Sequence, residues 1–296
     1  MSWNRLIQFK AEDGNLHYGD PVISSPSDLQ TLLASGQLKA RELAGPDITS
    51  LKPTGQELLV KEITGPLSPS DVPIVRCIGL NYQKHIQEGG RKPPPYPSIF
   101  IKSSATITSW NANVTVPTIV HPTDELDYEG EMCIVIGKTG SNIPADKVED
   151  YILGYTTGND VSARKWQRDP AFAGGVPQWC FAKGFDGWCP VGPMIVSPKV
   201  LGFADKQSLR TWVNGDLRQD SDTSDLLFGV KEIVRFASQG TTLEAGSIIM
   251  TGTPAGVAMG MAEPKYLIDG DIVEIEIGGL GRIRNRMVFA KDQAQP

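Results

Sequence analysis

At 296 residues, with 40% hydrophobic and 21% charged side chains, the chain has the composition of an ordinary globular protein and enough length to bury a sizeable core. Its formal net charge of −6 argues against a nucleic-acid or anionic-membrane surface as partner and fits a protein that handles small molecules. The four cysteines, Cys77, Cys133, Cys180 and Cys189, form no C-x-x-C pair and have apolar or aromatic neighbours, so they are expected to be buried free thiols in a reducing compartment and not zinc ligands.

The first residues, "MSWNRLIQFKAEDG", lack a basic stretch followed by an apolar one, and nowhere is there an apolar run of about 18 residues. The expectation is cytoplasmic, with a mitochondrial or peroxisomal address left open. "RLIQFK", a turn at "EDGN" and "LHYGDPVI" predict a hairpin. A short helix follows in "SDLQTLLASG", with Ser27 as N-cap and Gly36 just past its end. The Pro/Ser-rich "TGPLSPSDVP" then marks a boundary, separating a small N-terminal α/β unit, residues 1–68, from a larger domain, residues 69–296.

In "GLNYQKHIQEGGRKPPPYP", Glu88 follows His85 by three residues. On a short helix that spacing lets the carboxylate orient the imidazole and raise its basicity, although a solvated helix face would look the same. The "GGRKPPP" that follows is flexible and then stiff, which suits a loop that orders over a ligand, or a plain surface linker. The other two histidines, His17 and His121, are expected to be incidental surface residues.

"LDYEGEMCIVIG" carries the most informative pattern. On a strand, Glu129, Glu131, Cys133 and Val135 share one face, and Tyr128, Gly130, Met132, Ile134 and Ile136 share the other. The acid face therefore runs into core, where carboxylates need a cation, a basic partner or a proton. A second Glu-x-Glu, Glu274 and Glu276 in "DIVEIEIGGLG", has its acids opposite a clean apolar face and reads as a half-solvated strand.

"GYTTGNDVSARKWQRD" reads as a strand, a Gly-Asn turn and a helical stretch opened by Asp160, with Arg164 and Gln167 on one face at i+4 and i+7. Asp160 could serve there as a simple N-cap. Taken with Glu129 and Glu131 it completes a hard-oxygen set suited to Mg²⁺, Mn²⁺ or Ca²⁺, with open positions for water and a chelating substrate. "QWCFAKGFDGWCP" puts Lys183 among Trp179, Phe181, Phe185 and Trp188, where a partly desolvated ammonium could pair with a carboxylate or enolate. "SDLLFGVKEIVRFASQG" keeps helical spacing from Leu226 to Ala237 and ends at Gly240, and a shorter helix is expected at "ADKVEDYI". In "MTGTPAGVAMG" the Thr253 hydroxyl and backbone N–H groups could receive an anion. Short β-type runs not regularly alternating with helices imply a mixed, largely β, α+β architecture.

Seven stretches in order, "IGLNYQKHIQE", "SIFIKSSAT", "LDYEGEMCIVIGK", "GYTTGNDVSARKWQ", "FAKGFDGWCPVGP", "VNGDLRQD" and "TGTPAGV", resemble the fumarylacetoacetate hydrolase family, in its smaller branch of acylpyruvate hydrolases, oxaloacetate decarboxylases and tautomerases. The resemblance implies a mixed β-roll catalytic domain, a homodimer, and a small extra domain in the first 65 or so residues. It makes Glu129, Glu131 and Asp160 ligands for Mg²⁺ or Mn²⁺, and His85 and Glu88 a catalytic dyad on a lid segment. It places Arg164, Gln167, Lys183 and Thr253 around the substrate oxygens. The family's founding hydrolase has a fourth, aspartate ligand upstream, where this chain has the acid-free "GLNY", and Ala258 stands where many relatives have Gly. The expected substrate is a 2-oxo or 1,3-dicarbonyl acid whose enolate the ion stabilises. C–C hydrolysis, decarboxylation and keto–enol tautomerisation all remain open, as does a non-catalytic ligand-binding homologue, against which the presence of both His85 and Glu88 argues.

Overall fold

The computed structural model of the chain describes residues 1–120 and 125–291, so His121 lies outside the described residues. Its core is a run of strands buried on both faces, Gly130–Ile136, Ile152–Asn159 and Cys189–Val196. Met132, Ile134 and Ile136 enter one apolar cluster, and Cys133 and Val135 the other. The side-chain alternation read from the sequence thus holds, with apolar packing on each side of the sheet.

These strands sit in the middle of a long, mostly antiparallel sheet. On one side it continues through Ile248–Met250 and Val75–Gly79 to Ser98–Lys102. On the other, Cys189–Val196 pairs with Arg5–Lys10, and the sheet runs on through Leu16–Pro21, Lys39–Ala44 and Lys52–Leu59. The first strand sets Arg5 opposite Val196 and Leu6 opposite Ile195, so the N-terminal residues extend the central sheet directly. A second sheet, ordered Asp216–Asp222, Ser208–Val213, Ile272–Ile277, Gly281–Phe289 and Val114–Val116, packs on the face that carries Met132 and Ile134. The architecture is α+β and mostly β, as the sequence predicted.

Local expectations fared unevenly. The N-terminal hairpin forms, and the helix Asp28–Ala34 has Ser27 at its N-cap, though the Ser27 side chain makes no capping bond. The helix expected from about residue 224 begins only at Val230 and ends at Ala237. Asn81 explains the loss of the first turns: its backbone carbonyl accepts from Leu227 N–H (2.8 Å) and its side-chain oxygen from Phe228 N–H (2.9 Å), holding that segment extended. At "ADKVEDYI" there is a 3-10 turn, Val148–Tyr151, in place of an α-helix. Among the cysteines, Cys77, Cys133 and Cys189 are buried free thiols, but Cys180 is exposed. His17 is not incidental to its surroundings: its ring bridges Glu42 (2.7 Å) and Asp13 (3.2 Å) within the N-terminal segment.

Candidate active site

Strand register assembles the acids. Gly130 stands opposite Asn159 in the antiparallel ladder, and the pairing extends one step, with Asp160 N–H donating to the Glu129 carbonyl (2.9 Å). The Asn159 side-chain oxygen accepts from Glu129 N–H (3.0 Å), which clamps the two acids side by side. From the neighbouring strand, the chain leaving Met250 brings Gly252 N–H to the Glu131 carboxylate (2.7 Å). Glu129, Glu131 and Asp160 are 7%, 2% and 0% exposed, and each offers an oxygen within 4.8 Å of the others.

Three buried cations face this cluster. Lys183, at the end of the helix Trp179–Lys183, donates to Glu129 (2.9 Å), Asp160 (2.7 Å) and the Ser162 hydroxyl (2.6 Å). Lys102 donates to the other Asp160 oxygen (2.6 Å) and to the Trp188 carbonyl (2.9 Å). Arg164 joins Glu129 (2.6 Å) to a fourth buried acid, Asp127 (2.9 Å). Four carboxylates against three cations leave one negative charge in a water-poor interior, which a proton or an added cation must neutralise.

The titration tendencies show where the excess falls. Burial pushes the Glu129 carboxyl up, but Lys183 and Arg164 outweigh this and bring it down to about 2. Glu131 is pushed well above the usual range by burial and by the neighbouring Asp160 and Glu129 charges. Burial lowers Arg164, Lys102 and Lys183, yet the acids beside them hold all three above their ordinary values. The uncompensated position is Glu131, and an all-oxygen donor set of this size suits a hard divalent cation.

Above the acids lies a cavity of about 240 Å³ that also reaches His85, Glu88, Phe100 and Trp179. His85 and Glu88 sit on the helix Gln83–Glu88 with Nδ1 and Oε2 2.9 Å apart. The second Glu88 oxygen accepts from Gly256 N–H (3.1 Å), and Ala258 and Met259 N–H groups donate to Asp127 (2.9 and 3.1 Å). One loop therefore fastens both the dyad and the arginine's anchor. Arg164 Nη2 is buried with no hydrogen-bond partner, a donor left over beside the acids.

Residues 74–288 match the family model described as fumarylacetoacetate (FAA) hydrolase C-terminal. The chain belongs to the fumarylacetoacetate hydrolase family. Among curated members it is 38% identical to a caffeoylpyruvate hydrolase of Neonothopanus nambi, over 96% of this chain and 93% of that protein. It is 33% identical to a mitochondrial oxaloacetate tautomerase of Xenopus laevis, over 96% and 90% of the two. The crystal structure of 2-hydroxyhepta-2,4-diene-1,7-dioate isomerase from Mycobacterium marinum superposes with a TM-score of 0.78 at 33% identity, covering 98% of this chain and all of that one (100%).

In this family member Glu129, Glu131, Asp160, Arg164, Lys183, His85 and Glu88 come together around one cavity, and Gln167 and Thr253 also line it. Their local settings differ from expectation at four points. Asp160 opens no helix: the strand runs through the supposed Gly-Asn turn to Asn159, and the helix begins only at Arg164. Arg164 accordingly bonds Gln167 at i+3 (3.2 Å), and its acids are Asp127 and Glu129, not Asp160. Lys183 is fully buried among carboxylates, with the Phe100 ring 5.4 Å from its ammonium. The Thr253 hydroxyl donates to the Gly130 carbonyl (3.0 Å) and accepts from Gln219 (2.8 Å), so its proton is committed inside the protein. In the acid-free "GLNY", the Asn81 amide donates to the Phe228 and Thr251 carbonyls (3.1 and 2.8 Å), as a strut.

Sequence reasoning missed Asp127 and Lys102. Asp127 was legible, since it shares parity with Glu129 and Glu131. Lys102 carried a subtler signal, a lysine in step with Phe100 on a strand whose two isoleucines take the alternate positions.

Proposed function

We propose that the protein is a divalent-metal-dependent hydrolase that cleaves a C–C bond in a 2-oxo acid bearing a second carbonyl, an acylpyruvate-type substrate. What supports this reading most is that the His85–Glu88 pair and the three-acid cluster open onto the same cavity. Glu129, Glu131 and Asp160 would hold Mg²⁺ or Mn²⁺, which when bound supplies Lewis-acid polarisation of carbonyl oxygens. A divalent charge turns the cluster's single negative excess into a single positive one, which matches a monoanionic substrate.

The residues divide the remaining work. Arg164 Nη2, buried and unpartnered, is placed to receive a substrate carboxylate oxygen. Glu88 engages His85 Nδ1, leaving Nε2 as the proton acceptor. His85 takes a proton from water as the water oxygen adds to the acyl carbon. The C–C bond then breaks, its electron pair stays on the pyruvyl carbon, and His85 returns the proton there. One carboxylic acid and one shorter 2-oxo acid result. Decarboxylation would give the His85–Glu88 pair no such task.

Tautomerisation is the second reading. Relatives from Bacillus subtilis and Xenopus laevis are named oxaloacetate tautomerases, and His85 could move a proton between carbon and oxygen without consuming water. Incubating the purified protein with Mg²⁺ or Mn²⁺ and acetylpyruvate or oxaloacetate, with products followed by NMR, separates the two. Hydrolysis predicts acetate and pyruvate from acetylpyruvate in equal amounts. Enol–keto exchange of oxaloacetate with acetylpyruvate left intact would refute it.

A further inference from the structure

We propose that the preferred substrate carries a planar aromatic or conjugated group on the end remote from its carboxylate, seated against Trp179 and Phe100. This rests on the reading of the site as one for 2-oxo acids and names the tail such an acid would carry. The cavity has two unlike ends. One is the buried cluster of Glu129, Glu131 and Arg164; the other is walled by Phe100, Trp179, Pro177 and Met259. Phe100 links them, since its ring lies 5.4 Å from the Lys183 ammonium and 5.4 Å from the Trp179 ring, which meets it edge-on at 81°.

That wall is held in place. Trp179 lies so close over Gly79 that a Cβ there would stand 2.3 Å from the indole, so glycine at 79 is what lets the ring lie down against the strand. A fixed edge-to-face pair offers a flat partner favourable stacking and T-shaped contacts. Space agrees as well. An apolar cavity of roughly 150 Å³ takes up a benzene molecule, and about 240 Å³ leaves room for a three-carbon 2-oxo-acid head beside such a ring.

A second carboxylate at the apolar end would be poorly served. Lys102, Lys183 and Arg164 are all engaged by acids of the cluster, and Arg168 pairs with Glu125 (3.1 Å). Arg91, which also lines the cavity, is exposed. No buried cation among the described residues stands beside Trp179 to replace the water such a carboxylate would lose.

The test compares benzoylpyruvate with acetylpyruvate on the Mg²⁺-loaded full-length protein, in the wild type and in Trp179→Ala and Trp179→Leu. The wild type should favour benzoylpyruvate by at least tenfold in kcat/KM, and the ratio should fall at least tenfold in either variant that folds. Equal kcat/KM for the two acids in the wild type, or a ratio unmoved by loss of the indole, would overturn the proposal. Should neither acid be hydrolysed, calorimetric binding of the same pair decides separately. A tenfold tighter aryl acid that loses its advantage in the variants upholds the tail site while the hydrolase reading falls, and equal or absent binding removes the tail site as well.

Discussion

Glu131 is the acid of the cluster that no cation contacts directly among the described residues; it accepts a hydrogen bond from Gly252 and stands beside two ionised neighbours. Its folded pKa lies above the model value of 4.5, so in the metal-free protein its contribution to stability is present below that pH and lost as pH rises through the folded value. A divalent ion must displace that proton, so affinity for Mg²⁺ or Mn²⁺ should rise with pH, which calorimetric titration across a pH series would check. Glu131→Gln should raise the melting temperature of the metal-free protein while weakening divalent binding and activity together. Asp160→Asn should behave oppositely in stability. It strips Lys102 and Lys183 of a shared counter-charge, 2.6 and 2.7 Å away, and removing one partner of a buried pair costs about 3–5 kcal/mol. Denaturant melts of the two metal-free variants would distinguish them, and full turnover by either would contradict the assigned ligands.

At the scale of elements, alternation along a strand is a strong signal that a single favourable ion pair can reverse. Glu129 and Glu131 were legible because their face continued into Cys133 and Val135. In Ser98–Lys102 the more apolar face is turned outward: Ile99 and Ile101 are 39% and 49% exposed, while Phe100 and Lys102 are 8% and 2%. The Lys102–Asp160 bond and the Phe100 wall set that register, and neither partner is near in sequence. Glu274 and Glu276 behaved as their pattern said, meeting Arg282 (3.6 and 2.8 Å) on a partly solvated face. The helix supposed to start at Asp160 failed for a similar reason, because pairing with Gly130–Ile136 carries the strand past the Gly-Asn pair.

Two glycines of these elements give sharp tests. Between the glutamates, a Cβ on Gly130 would stand 2.5 Å from the Thr211 hydroxyl oxygen and 3.1 Å from Ile275. Gly130→Ala should therefore cost about 1–3 kcal/mol through overpacking and weaken metal binding, measured by thermal melts with and without Mn²⁺. At Gly260 a Cβ would fall 2.3 Å from the Glu88 carboxyl carbon, the far end of a flexible side chain. Gly260→Ala should then leave the melting temperature nearly unchanged but lower kcat at least tenfold by moving Glu88 off His85.

For the whole molecule, the sequence showed a largely β chain with an N-terminal segment of its own, but not that this segment extends the central sheet. Leu6, opposite Ile195, is 0% exposed and belongs to the same apolar cluster as Cys133 and Val135. Long-range pairing of this kind has no local signature, since the hairpin Arg5–Pro21 would look alike on any sheet edge. Deleting residues 1–68 should uncover one edge of Cys189–Val196 and the Ile195 packing, giving a protein that aggregates or melts markedly lower. The central claim is that these elements converge to let Glu129, Glu131 and Asp160 grip one ion. Anomalous diffraction from crystals grown with Mn²⁺ tests it most directly. The account predicts a single strong peak at the cavity floor, within coordination distance of an oxygen from each of the three carboxylates; no peak there, or one held by other residues, would contradict it.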